Sequence, residues 1–319
     1  MATRTLAART LGRDGPQVSV LGIGCNNFGA RIDADAARAV VDAALDRGVF
    51  LFDTADTYGG GDSERFLGRA LRGRREGAVV ATKFGSAMPG SDPSTRRGTP
   101  AYIRAAVDAS LQRLDVDVID LYQMHQPDPR TPIAETLGVL HELILAGKVR
   151  WIGCSNFAPW QIADAQWTAR AAGVSAFVSA QDEYSLLVRD AESERIPALT
   201  HFGLGLLPYF PLARGLLTGK YRRGEPPPPG ARLASQAVGA ALLTDATFDQ
   251  IDQLERFAAT HRLSLLQLAI GSLLGRPAVS SVIAGATSPA QVAANVEAAS
   301  WVAGPDQLAA LDDSLAGDH

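Results

Sequence analysis

The sequence predicts an α/β fold: a (β/α)8 TIM barrel with an N-terminal β-hairpin and extra C-terminal helices. Three observations predict it. Eight short apolar runs punctuate the chain, at residues 20–24, 50–54, 79–83, 119–125, 149–155, 177–181, 205–210 and 281–285. They are continuous rather than alternating in hydrophobicity, as strands buried on both faces are. Helical patterns separate them, so strand and helix repeat from end to end. That order makes a parallel barrel the leading topology and an open doubly wound sheet its competitor.

Taken in order, residues 10–24 read as a hairpin turning at Arg13-Asp14-Gly15-Pro16. The first helical stripe is Ala37, Val40, Val41, Ala44 and Leu45, and the second is Phe66, Leu67, Ala70 and Leu71. Ile103, Val107, Ser110, Leu111 and Leu114 form a third, and Ile133, Leu137, Leu140 and Ile144 a fourth. Thr99-Pro100, Thr131-Pro132 and Ser288-Pro289 each offer a capping hydroxyl before a proline at the first helical position. Residues 88–98 read as a polar loop and residues 222–233, with Pro226 to Pro229, as a Pro-rich one. Helical patterns at 248–260 and 263–274 precede the eighth run, and 306–315 read as a closing helix. The expected organisation is one barrel domain over residues 1–319.

Composition narrows the class. Of the 319 residues, 46% are hydrophobic, enough for a large core, and 20% are charged, which is not a disordered composition. A net charge of −4 argues against a nucleic-acid binder. No apolar run reaches the roughly 18 residues that span a membrane. Cys25 and Cys154 are the only cysteines, so no disulfide framework is implied and a cytoplasmic setting is expected. They read as small buried residues. His141, His201 and His261 have no ligand spacing, so no metal site is expected. Trp151, Trp160 and Trp167 are expected to pack helices on the barrel.

In a barrel the chemistry sits where strands end. Here the strand ends carry Asp53 with Tyr58 beyond it, Lys83, His125, Ser155-Asn156, Gln181 and Tyr209. Asp53, Tyr58, Lys83 and His125 make chemical sense together. Reducing a carbonyl needs a hydride donor and an acid for the developing alkoxide. A free phenol, with a pKa of about 10, is too weak an acid at neutral pH. A lysine ammonium favours the tyrosinate, an aspartate keeps that lysine charged, and a histidine can donate to the carbonyl oxygen. Each residue alone reads more naturally as structural: a satisfied core carboxylate, its ion-pair partner, a loop anchor, a barrel histidine. At one rim of consecutive strands the joint chemical reading prevails.

Seven segments, in order and covering nearly the whole chain, resemble the aldo-keto reductase superfamily: LGIGCNNFG at 21–29, FDTADTYGGGDSE at 52–64, ATKF at 81–84, DLYQMHQPDP at 120–129, GKVRWIGCSNF at 147–157, PLARGLLTGK at 211–220 and GATSPAQVAAN at 285–295. The resemblance, to the branch that includes pyridoxal reductases and potassium-channel β subunits, implies reduction of aldehydes or ketones with NADP(H), NAD(H) being the lesser expectation. It makes Tyr58 the general acid, Lys83 and Asp53 its tuning pair and His125 the substrate-orienting donor. It gives Ser155, Asn156 and Gln181 to the nicotinamide carboxamide, Tyr209 to its ring, and Gly24, Cys25 and Asn26 to its ribose. Pro211, Leu212, Ala213 and Gly215 would line the pyrophosphate. Lys220 and Arg232 would meet the 2′-phosphate with Thr287 and Gln291. Gly285 leads into a helix whose N-terminus can hold phosphate, and Asn295 would reach the adenine. Asn27 and Phe28 would line the substrate pocket.

The chain departs from many aldo-keto reductases at three places. Gly285-Ala286 stands where a Lys-Ser pair is common, Gln291 where an arginine is, and Ala294 where an acid is. By the resemblance, the first two shift 2′-phosphate recognition onto Lys220 and Arg232, and the third loses one adenine hydrogen bond. No Rossmann glycine fingerprint is present. Two other readings stand beside reduction. One is an NADP(H)-binding redox-sensing module with slow turnover. The other is Lys83 as a Schiff-base nucleophile, which a neighbouring Asp53 opposes by keeping the lysine charged. The expected partner is a small carbonyl compound, with a monomer as the default state.

Overall fold

A computed structural model of the chain describes residues 6–316 other than 89, 235–238 and 240. Eight parallel strands follow one another around one sheet. They are β3 (Leu21–Gly24), β4 (Leu51–Asp53), β5 (Val79–Phe84), β6 (Ile119–Met124), β7 (Val149–Ser155), β8 (Ser179–Glu183), β9 (Gly205–Tyr209) and β10 (Val282–Gly285), which pairs with β3. The ring closes between β9 and the residues ahead of β10. Leu206 N–H donates to Ala278 O at 2.8 Å and Ser280 N–H to Leu206 O at 3.0 Å. Closure leaves no exposed edge and excludes the open doubly wound alternative. Each predicted run holds a strand, but β8 is displaced. It starts at Ser179 and continues through Asp182 and Glu183, polar residues that an apolar criterion passes over.

The hairpin is shorter and earlier than the sequence suggests. β1 (Ala8–Thr10) pairs antiparallel with β2 (Gln17–Ser19), and the residues after Val20 already belong to the barrel. Its function is to plug. Leu11 and Val18 join Leu51, Ala81, Leu121, Leu207 and Ile283 in one buried cluster. Gly12 lets the turn dock, since it has φ +64° and a Cβ there would lie 2.5 Å from Val178 O.

Helices α1 (Ala34–Leu45), α2 (Asp62–Ala70), α3 (Pro100–Leu114), α4 (Ile133–Leu145), α5 (Pro159–Ala172) and α6 (Arg195–Phe202) alternate with the strands. α7 (Asp245–Thr260) and α8 (Leu265–Gly275) follow β9, α9 (Pro289–Ala298) follows β10, and α10 (Pro305–Ala316) comes last. The predicted stripes are core. Val40, Val41, Leu67, Ile103, Val107, Leu137 and Leu140 are all fully buried. Among the described residues no single helix is long and apolar enough to cross a membrane.

Two local expectations need correction. Ser288 caps α9, accepting from Gln291 N–H at 3.3 Å. The hydroxyls of Thr99 and Thr131 instead serve their loops, donating to Arg96 O at 2.9 Å and Asp128 Oδ2 at 2.8 Å. Trp160 and Trp167 do not pack on the barrel. They lie 68% and 53% exposed on the outer face of α5, whose inner face is Ile162, Ala165 and Ala169. Trp151 does tie elements together, its Nε1 donating to Asp14 O in the hairpin turn at 3.0 Å.

Candidate active site

Side chains alternate along a strand, so residues two apart face the same side. Inside the barrel this turns an apolar layer into a polar one in a single step. Leu51, Ala81 and Leu121 belong to the plug. Two residues on, Asp53, Lys83 and Gln123 are buried and polar, and His125 follows on the same face of the β6 strand. Lys83 Nζ donates to Asp53 Oδ2 at 2.6 Å and to Thr54 O at 2.9 Å, and it lies 3.5 Å from Tyr58 Oη. Asp53 Oδ1 accepts from Gln123 Nε2 at 3.0 Å and Gln181 Nε2 at 2.9 Å. The rings of Tyr58 and His125 meet edge to face, with centroids 5.8 Å apart. The four candidate catalytic groups therefore converge at the C-terminal mouth.

Burial dominates the electrostatics. It pushes the Tyr58 phenol above its ordinary value, and the opposing Lys83 ammonium does not outweigh it. The lysine effect read from the sequence is present but smaller than desolvation. Burial also acts against the charge on Lys83, yet the carboxylate of Asp53 and the phenol of Tyr58 leave its pKa raised. Burial and then the Lys83 charge bring His125 down to about 3. At neutral pH the site presents a protonated phenol, an ammonium and a neutral imidazole that can donate one N–H.

A cavity of about 680 Å³ runs from these residues to the start of α9. Of the predicted cofactor and substrate residues, Gly24, Asn26, Asn27, Asp53, Tyr58, His125, Ser155, Asn156, Gln181, Tyr209, Pro211, Leu212, Gly215, Lys220, Arg232, Gly285, Thr287, Gln291 and Asn295 line it. Three do not. Cys25 and Phe28 are fully buried in the core behind the wall, and Ala213 is buried beneath the loop. Arg214 takes the place expected of Ala213. Phe210, Ala213 and Arg214 have φ of 50°, 45° and 59°, a left-handed path that costs energy in non-glycine residues. The path turns Ala213 into the core and leaves Arg214 at the cavity.

The lining fits an anionic dinucleotide. Among the described lining residues Arg31, Arg214, Lys220 and Arg232 are cationic, and Asp53, already paired with Lys83, is the one acid. The cations crowd each other. Burial, then Arg31 and Arg214, lower the pKa of Arg232, and burial, then Arg31 and Arg232, lower that of Lys220. An anion seated among them relieves this repulsion. Arg232 Nη2 also reaches Asn27 Oδ1 at 3.0 Å, and Arg31 donates to Gly230 O, so the Pro-rich segment lies over the cavity. Asn295 Nδ2 is buried and finds no partner among the described residues. At the other end polar groups bond each other: Tyr209 Oη to Asn156 Oδ1 at 2.8 Å, Asn156 Nδ2 to Ser155 Oγ at 3.0 Å, and Ser155 Oγ to Gln181 O at 2.8 Å. Thr287 and Gln291 are tied as a helix cap, Gln291 Oε1 accepting from Thr287 N–H at 2.9 Å.

Sequence reasoning passed over Arg31, Arg214 and Gln123. Gln123 had a legible signal, a polar residue inside an apolar run two positions before His125. Arg31 had none, because it sits in a loop.

Fold and rim together define a (β/α)8 barrel whose proton-transfer groups gather at the C-terminal mouth beside a cation-lined cleft. The sequence model of the Aldo/keto reductase family matches residues 20–316, and the chain belongs to that family. It is 36% identical over 298 residues to a probable voltage-gated potassium channel subunit beta of Oryza sativa subsp. japonica, covering 91% of this chain and 90% of that protein. It is 35% identical over 269 residues to probable aldo-keto reductase 1 of Glycine max, covering 83% and 76%. It is also 36% identical over 320 residues to the uncharacterized oxidoreductase YrpG of Bacillus subtilis (strain 168), covering 96% and 95%.

Proposed function

We propose that the protein is an oxidoreductase that uses NADP(H) to reduce aldehydes or ketones to alcohols, with Tyr58 as the proton donor. The observation that carries this reading is the buried relay in which Lys83 Nζ stands 2.6 Å from Asp53 and 3.5 Å from Tyr58 Oη. The cluster of Arg31, Arg214, Lys220 and Arg232 favours the dinucleotide with the extra phosphate.

When bound in the cleft, a nicotinamide dinucleotide would supply the hydride that carbonyl reduction needs. Ser155, Asn156, Gln181 and Tyr209, which line the cavity beside Tyr58 and His125, would hold its nicotinamide, the first three at the carboxamide and Tyr209 at the ring. Neutral His125 donates to the carbonyl oxygen and fixes its direction. Tyr58 holds the proton at Oη. As negative charge grows on the substrate oxygen, the phenol O–H breaks and a substrate O–H forms. Lys83 stabilises the tyrosinate left behind, and Asp53 keeps Lys83 charged. The buried thiols of Cys25 and Cys154, both free, support a reducing, cytoplasmic setting.

The test is loss of NADPH absorbance with aromatic, aliphatic and dicarbonyl aldehydes, run beside NADH and a Tyr58→Phe variant. Turnover with NADPH should fall by about 10²–10⁴-fold in the variant while dinucleotide binding stays intact. Full activity without the phenol would sink the assignment. The likeness to probable channel β subunits supports a second reading, a redox-sensing module with slow turnover. Binding of NADPH with no turnover of any aldehyde would select it.

A further inference from the structure

We infer that Gln123 is a positioning residue of the proton relay, acting through Asp53. The inference rests on the reading of Asp53, Lys83 and Tyr58 given above.

Gln123 lies wholly inside the barrel, between Lys83 on the β5 strand and Gly153 on the β7 strand. Its Nε2 donates to Asp53 Oδ1 at 3.0 Å. A carboxylate oxygen only accepts, so the amide must turn its NH₂ group toward it. That orientation leaves Gln123 Oε1 buried, with no partner among the described residues. An unpartnered buried carbonyl oxygen is costly, and a leucine or methionine would fill the same space without that cost. The neighbouring strand also accommodates this side chain. A Cβ at Gly153 would lie 3.3 Å from Gln123 Cγ and 2.6 Å from Ser179 Oγ, so glycine there makes room for both. The N–H on Asp53 is what the arrangement secures.

The consequence reaches Tyr58. The Asp53 charge acts to hold the phenol's proton on, and the Lys83 charge acts to release it. Gln123 and Gln181 together neutralise part of the Asp53 charge at Oδ1, while Lys83 holds Oδ2. Gln181 also lines the cavity, where it is assigned to the carboxamide. Gln123 is absent from the lining and serves Asp53 alone, whether or not the cleft is filled.

Two variants test this, Gln123→Met and Gln123→Glu, with Tyr58→Phe as the control. The readouts are kcat and KM for an aromatic aldehyde with NADPH, the pH–rate profile, the NADPH dissociation constant, and an ultraviolet difference titration of the Tyr58 phenol against Tyr58→Phe. Gln123→Met, which keeps the volume and loses the donor, should lower kcat by about tenfold, the effect of one hydrogen bond to a charged group. KM and NADPH affinity should stay within about twofold. The phenol titration and the basic limb of the profile should both move to higher pH. In Gln123→Glu the new carboxyl can donate to Asp53 when protonated and repels it when ionised. Its activity should approach that of the unmodified protein at low pH and fall away reversibly as pH rises. Should Gln123→Met fail to fold, this pH-dependent recovery decides alone.

Unchanged kcat and phenol titration in Gln123→Met, with Tyr58→Phe inactive, would overturn the inference. So would a lower kcat with an unshifted titration and no low-pH recovery in Gln123→Glu, which would mark Gln123 as packing only. Activity surviving in Tyr58→Phe would overturn the underlying site reading, and the inference with it.

Discussion

The two ends of the barrel are built from the same strands and have opposite chemistry. At the N-terminal end Leu51, Ala81, Leu121, Leu207 and Ile283 close on Leu11 and Val18 of the hairpin. Two residues further along, Asp53, Lys83 and Gln123 form, with Gln181 of the β8 strand, a layer of equal burial made of charge and amide. The lower layer is held by apolar area removed from water. The upper layer pays desolvation for every polar atom and recovers it only through pairing, at 2.6 Å for Lys83 and about 3 Å for the two amides. The contrast teaches that stability and chemistry are separated here by one step along a strand. Changes in the two layers should therefore be separable.

The largest expected effect is at the upper layer. Lys83→Met leaves Asp53 buried without its ammonium and should cost about 4 kcal/mol of stability together with most activity. Denaturant unfolding checks it. Adding Asp53→Asn should recover part of that stability but none of the activity, because it removes the unpaired buried charge while its Oδ1 still accepts from Gln123 and Gln181. If the double variant is less stable than the single one, the polar layer is a net support and the contrast is wrong.

Next comes the lower layer. Leu121→Ala, one step below Gln123, should cost about 3 kcal/mol through lost burial and a cavity. Its kcat, measured well below the melting midpoint, should stay near that of the unmodified protein. A matching fall in kcat would mean the two layers are mechanically coupled.

The smallest effect lies behind the mouth, where Asp56 is buried with Oδ1 unpartnered among the described residues. Burial, then the Glu64 charge, push it up to about 7, against Arg113 and Lys83. Arg113 is already committed to Glu64 at 2.6 Å. Asp56 binds its proton more tightly folded than unfolded. Its contribution is therefore complete below the ordinary carboxylate range and is lost as pH rises through about 7. The protein should lose about 2 kcal/mol between about pH 5 and about pH 7 through this group. Asp182, raised to about 6 chiefly by burial, adds a loss of the same sign. Asp56→Asn should remove the first part of that slope, leaving Asp182's, in unfolding measured across this range.

Much of this was written in one dimension. Continuous apolar runs fixed the strand count, because a strand covered on both faces has no alternation to show. The chemical types of the tetrad were legible because Asp53, Lys83 and His125 each end such a run, and a strand end in a barrel is a rim. The local sequence also placed α9 through Ser288. It failed where a neighbour decides. Thr99 and Thr131 found better partners in their loops than at a helix end. Ala213 turned into the core, leaving Arg214 at the cavity, because the backbone turns left-handed there. Phe28 and Cys25 sit beside cavity-lining asparagines, yet their side chains point into the core. The convergence of Gln123 and Gln181 on one oxygen of Asp53 joins residues 70 and 128 positions apart, and so does the gathering of Arg31 with Arg214, Lys220 and Arg232. Period and composition set which face a residue takes within its own strand. Which residues then share a layer depends on the stagger between strands and the path of the loops, and only the closed barrel determines those.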